Sequence, residues 1–157
     1  MKVGVMHVLK LIGPLLCVVC ILTGCSSRYE YRAETIDTVP VSGTLTFKGQ
    51  PLEYYQVIFF PADGVRVAAG VTDANGKFSL GTNDGGDGAP SGICKVAVNF
   101  VGPPTTDAGG NEQIIDDPSK LPKPKVKIPS KYNDPEKSGL IQEVPATGLS
   151  DLKIDLL

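Results

Sequence analysis

The chain has 157 residues, with 15 Lys and Arg against 17 Asp and Glu, and a formal net charge of −2. That length holds one domain with a sizeable core, and the mildly acidic balance excludes the basic footprint of a nucleic-acid binder. With one His, four Cys and no Trp, the chain is also poor in the commonest general base and zinc ligand.

The first element is not part of a fold. "MKVGVMHVLK" carries Lys2 and Lys10 and no acidic residue, and "LIGPLLCVVCIL", Leu11 to Leu22, carries no charge. A basic start before an apolar run of this length is the pattern of a secretory signal. The run is shorter than the roughly 18 apolar residues of a membrane span, and Gly13 and Pro14 disfavour a permanent helix. The polar "SSRYEYRAETIDTVP" that follows offers a buried helix nothing to pack against. The run closes on Leu22, Thr23, Gly24 and Cys25. This box resembles a bacterial lipoprotein signal: Leu, two small or neutral residues, then an obligatory Cys. The resemblance implies a signal peptide at 1–24, cleavage between Gly24 and Cys25, and attachment to the membrane through an acylated Cys25. Ser26, rather than Asp, implies by the same resemblance an outer-membrane lipoprotein facing the periplasm rather than an inner-membrane one.

The remaining cysteines then sort themselves. Cys17 and Cys20 leave with the signal, and so does His7. Cys94 is left as the free thiol of the mature chain, which contains no histidine. Loss of Lys2 and Lys10 takes the formal charge from −2 to −4. Residues 25–37 read as a polar tether in which Tyr29 and Tyr31 can rest at the membrane interface.

From residue 38 the patterns are those of strands. "TVPVSGTLTF" alternates, with Val39, Val41, Gly43, Leu45 and Phe47 on one side, as a half-buried strand does. "KGQPL" supplies a turn, and "YYQVIFFP" is rich in β-branched and aromatic residues. "RVAAGVT" and "KFSL" flank "DANG", where Asp73 and Asn75 close an Asx-type turn and Gly76 takes the left-handed position. Residues 81–92 are expected to form a surface loop that buries little apolar surface. "ICKVAVNFV" then alternates Cys94, Val96, Val98 and Phe100 inward against Lys95, Ala97 and Asn99 outward. A buried thiol behaves there as a small hydrophobe. Residues 102–131 read as a second long loop. "GLSDLKIDLL" ends the domain as a strand with Leu152, Ile154 and Leu156 on one face. The expected class is all-β, a single sandwich of seven strands, six to eight, spanning 38–157.

Several of these pieces together resemble the carboxypeptidase regulatory-like, or transthyretin-like, β-sandwich domain. They are Gly43, Gly49-Gln50-Pro51-Leu52, Phe60-Pro61, Thr72-Asp73, Gly76-Lys77-Phe78, and Gly92 before Val96-Ala97-Val98, with "IPSKYNDPEKSGL" similar to the family's tail. More narrowly, the chain resembles small envelope lipoproteins of this type in planctomycete bacteria. Ile93 and Cys94 stand where such domains more often have a Tyr. The resemblance implies an immunoglobulin-like or prealbumin-like sandwich and a supporting role without hydrolysis.

The residues agree with a non-catalytic role. No Ser/His/Asp arrangement is available after the signal, and neither a Gly-x-Ser-x-Gly elbow nor a phosphate loop occurs. Asp116 and Asp117 are adjacent and so do not face one another across a substrate. Two constellations remain. The first, an alternative reading of the function, is a Ca²⁺ or ligand site drawing on the loops at 73–76 and 83–88, through Asp73, Asn75, Asn83, Asp84 and Asp87. It lacks the closing Glu of an EF-hand, and Asp73-x-Asn75-Gly76 by itself is far more often just a tight turn. The second is the Pro-interleaved row Lys120, Lys123, Lys125, Lys127 and Lys131. Prolines hold such a stretch extended, ready to touch lipid headgroups or an anionic envelope polymer, or simply to block strand addition. The partner is thus the membrane through Cys25 and, beyond it, another envelope protein or an anionic polymer. No cofactor other than Ca²⁺ is indicated.

Overall fold

In the computed structural model, which describes residues 35–64, 66–104 and 122–157, the alternating stretch after Pro40 forms β1 (Val41–Phe47). Val41, Gly43 and Leu45 are buried while Ser42 and Thr44 are half-exposed. β1 turns at Lys48-Gly49 into the two-residue β2 (Gln50–Pro51), with Gly49 at φ +79°. β3 (Tyr55–Pro61) buries Tyr55, Val57 and Phe59. β4 (Ala68–Val71) and β5 (Lys77–Ser79) flank the Asx turn, β6 (Gly92–Phe100) is the longest strand, and β7 (Ile141–Val144) and β8 (Leu149–Leu156) complete the chain.

The eight strands make two four-stranded sheets, and no α-helix occurs among the described residues. One sheet runs β4-β3-β6-β7, antiparallel throughout. In the other, β1 pairs with β2 and β5 antiparallel and with β8 parallel. Val41, Leu45, Phe78, Ile154 and Leu156 from the second sheet join Phe59, Cys94, Val96 and Val98 from the first in one hydrophobic cluster. The fold is all-β, and its described residues belong to one unit, Thr35–Leu157.

Two strands depart from the sequence reading. β2 lies inside the expected turn, and β7, at Ile141–Val144, lies in a stretch for which the sequence reading named no element. The parallel β1–β8 pairing contains a bulge: Val41 stands opposite Leu149, but Gly43 stands opposite Leu152. The extra residue in β8 is accompanied by Asp151 at φ +58°. A bulge inverts the alternation, and so both Leu149 and Leu152 pack on the core. At Gly43 the two strands approach too closely for a side chain, because a Cβ there would lie 2.4 Å from the Leu152 carbonyl oxygen.

Ala97 was expected on the wet face with Lys95 and Asn99, yet it is buried, outside the core cluster. It stands opposite Ile58, and a methyl group among longer side chains is shielded by them.

Cys94 is fully buried and its Sγ lies 4.0 Å from the Gly92 carbonyl oxygen. Burial first, and the charge of Asp63 second, push its thiol pKa up. The thiolate that reacts is thereby disfavoured. A thiol reagent is therefore expected to label Cys94 slowly in the native protein and rapidly in denaturant. Cys94→Ser should lower stability by roughly 1–3 kcal/mol, because it buries a hydroxyl among apolar neighbours. Equal labelling rates with and without denaturant would contradict its placement.

Candidate functional site

The two loop constellations lie at opposite ends of β1. At its start, the incoming chain is clasped by the loop after Leu80. Asn83 makes a reciprocal pair with Ile36: the Ile36 N–H donates to Asn83 Oδ1 at 3.1 Å, and Asn83 Nδ2 donates to the Ile36 carbonyl at 2.9 Å. The Thr38 hydroxyl donates to the Asp87 carbonyl at 2.9 Å, and Val39 forms an isolated antiparallel bridge with Ala89. Asp87 organises the loop itself. Its carboxylate accepts from the Thr82 N–H at 2.6 Å, the Asn83 N–H at 3.1 Å and Asn83 Nδ2 at 2.9 Å. The expectation that residues 81–92 bury little is corrected here, since Gly88, Ala89 and Pro90 are buried. A Gly/Asp-rich composition signals the absence of strands. It does not reveal that one carboxylate and one amide can pin such a loop to the chain's point of arrival.

These donors hold the Asp87 carboxyl below the ordinary range, the Thr82 N–H contributing most and Asn83 adding to it, against a smaller opposing effect of burial. A depressed folded-state pKa confers stability that is complete above the unfolded value, about 3.9. That stability is lost as pH falls through the lower folded value. Asp87→Asn should therefore make the loss of thermal stability below roughly pH 4 shallower than in the wild type. Identical acid limbs in thermal unfolding would contradict this role for Asp87.

At the other end of β1, "DANG" forms the expected turn. The Asp73 carboxylate accepts from the Asn75 and Lys77 N–H groups at 2.8 Å each, and Gly76 has φ +74°. The Gly76 carbonyl accepts from Leu45, whereas Asp87 lies beside Thr38. Seven positions along an extended chain place the two acidic loops about 20 Å apart. One ion therefore cannot draw on Asp73 and Asn75 together with Asn83, Asp84 and Asp87. Among the described residues no three Asp, Glu, His or Cys side chains are grouped so as to hold a metal ion.

The lysine row lies at the same end as the Asx turn. Lys120 is outside the described residues, as is Cys25. Residues 122–129 form no strand and bend at Lys125-Val126, with Lys123, Lys125 and Lys127 exposed between half-buried Pro122, Pro124, Val126 and Ile128. This segment is irregular, as the loop expected over 102–131 would be, but it lies against the fold. Val126 and Ile128 pack on the core, the Tyr55 hydroxyl donates to the Val126 carbonyl, and a 3₁₀ turn over Ser130–Asn133 sends Tyr132 inward. The Tyr132 hydroxyl in turn donates to the Leu157 carbonyl at 2.8 Å. The segment makes no strand ladder, which is why strand periodicity alone reads it as a loop.

The row is not uniformly free charge. Lys125 donates to Glu53 at 2.5 Å, a partner 72 residues earlier, and this hydrogen bond raises its pKa. Lys131 lies over the Tyr132 ring, 4.6 Å from its centroid. Lys123 and Lys127 have no ion-pair partner among the described residues. Beside Lys127 opens a groove of about 190 Å³, lined by Phe100, Pro124, Ile128, Ser130 and Asn133 as well as by Lys127 itself. Phe100 meets Tyr55 edge-on, with ring centroids 5.2 Å apart and an interplanar angle of 61°. Sequence reasoning missed Glu53, Phe100, Ser130 and Asn133, which only the fold brings to the lysines.

Compared with models of protein families, with curated proteins and with solved structures, the chain matches none.

Proposed function

We propose that the chain is a non-catalytic, lipid-anchored protein of the cell envelope. In this reading its two-sheet unit is an immunoglobulin-like or prealbumin-like sandwich of the carboxypeptidase regulatory-like type. It sits on the outer membrane facing the periplasm and supports or mediates contacts there with another envelope protein or an anionic polymer. The observation that carries the reading is the Leu22-Thr23-Gly24-Cys25 box, set behind a basic start and an apolar run and ahead of a folded unit that begins at Thr35. Support for a non-catalytic role comes from the lack of His after His7 and from the burial of Cys94. Growth with an alkyne-bearing fatty acid tests the anchor: the wild type should carry the label and Cys25→Ser should not.

A further inference from the structure

We propose that the groove beside Lys127 is a binding site for a uronic-acid unit of an acidic polysaccharide. The site deepens the reading of an envelope contact protein by naming the ligand class, and its chemistry does not depend on the lipid anchor.

A pyranose uronate offers three things at once: an apolar face of C–H bonds, ring hydroxyls, and a carboxylate on one edge. The groove offers a counterpart to each. Half-buried Phe100, Pro124 and Ile128 give it apolar walls, and the edge-on contact with Tyr55 fixes the Phe100 ring. Ser130 and Asn133 are exposed neutral hydrogen-bonding groups on the same wall, carried by the 3₁₀ turn whose position Tyr132 locks. Lys127 supplies the charge, without an acidic partner among the described residues to quench it.

The lysine segment adds polymer character to the site. Lys123 lies four residues before Lys127, and with a bend at Lys125-Val126 between them their backbones are at most about 13 Å apart, the reach of four extended residues. A second carboxylate farther along the same polysaccharide can reach Lys123. Lys125, between them, is already neutralised by Glu53. Packing of Val126 and Ile128 and the Tyr55 hydroxyl bond to Val126 hold the segment in place before any ligand arrives. Such preorganisation lowers the ordering cost of binding. A polyphosphate or a phospholipid headgroup would satisfy the lysines but leave Phe100, Ile128, Ser130 and Asn133 without a use. The charge and the walls together favour the acidic sugar.

Titration calorimetry on the full chain in a non-ionic detergent tests this, with a short oligogalacturonate as the probe. Binding should weaken about tenfold or more when the carboxylates are methyl-esterified or when Lys127 becomes Gln, the loss expected for one charge-assisted hydrogen bond. It should also weaken severalfold in Asn133→Ala, and rising salt should reduce it. Both substituted side chains are exposed, and melting temperatures matching the wild type would confirm intact folding. No binding of oligogalacturonate would overturn the proposal, as would equal binding of the esterified form. Polyphosphate or phosphatidylglycerol vesicles binding at least as tightly, with Asn133→Ala indifferent, would also overturn it and leave the row a bare polycation. Because no membrane anchoring enters the measurement, these outcomes do not bear on whether Cys25 is acylated.

Discussion

Phe59→Ala should cost about 3–5 kcal/mol, the range for deleting a fully buried aromatic side chain. Phe59 is completely buried on β3, opposite Ala68 of β4 and Val96 of β6, and belongs to the cluster fed by both sheets. Its removal takes apolar surface from the centre of that cluster, and rigid strands on either side cannot close the space. A domain of this size is typically stable by only about 5–15 kcal/mol, so the loss is about a fifth or more of what holds it. The melting temperature should fall by about 10 °C or more. Val71→Ala, at a side chain 49% exposed on β4, should stay within about 0.5 kcal/mol of the wild type. Similar melting temperatures for the two variants would mean that the shared core between the sheets is not what stabilises the protein.

The second large effect concerns Cys25→Ser, for which fatty-acid labelling should fall from full to background. A thiolate is the nucleophile that can form a thioether, and a serine hydroxyl at the same place cannot. The variant should therefore run as an unlabelled species. One acyl chain binds a membrane only marginally, each buried methylene adding about 0.8 kcal/mol, whereas two or three chains hold it durably. The processed wild type should consequently remain with membranes through a high-salt wash. Lysines near an anionic surface contribute about 1 kcal/mol each, and salt screens them. Membrane retention that vanished in salt would assign the association to Lys123, Lys127 and their neighbours rather than to lipid.

Periodicity made much of the fold legible. Val41, Gly43 and Leu45, then Cys94, Val96 and Val98, then Ile154 and Leu156 all turn inward as their alternation requires. The Asx turn was also readable, because Asp73, Asn75 and Gly76 are local and each has a stereochemical reason to be there. Long-range partners were not. Nothing near residue 151 announces that β8 pairs parallel with β1, or that a bulge at Asp151 lets both Leu149 and Leu152 face the core. The lysines were visible as a row, but the pairing of Lys125 with Glu53 joins residues 72 apart. Likewise, Asn83 and Asp87 read as cation ligands because sequence shows donor atoms but not which backbone N–H groups already occupy them. The fold gives those atoms to Ile36, Thr82 and the loop itself.

The central claim is that a folded β-unit hangs from a lipid on Cys25, and intact-mass analysis of the mature protein extracted from membranes tests it most directly. The mass should correspond to a chain that begins at Cys25 and carries a diacylglyceryl group together with a further acyl chain on the new amino terminus. A protein recovered without added lipid mass, or one whose mature chain starts at any residue other than Cys25, would contradict the account.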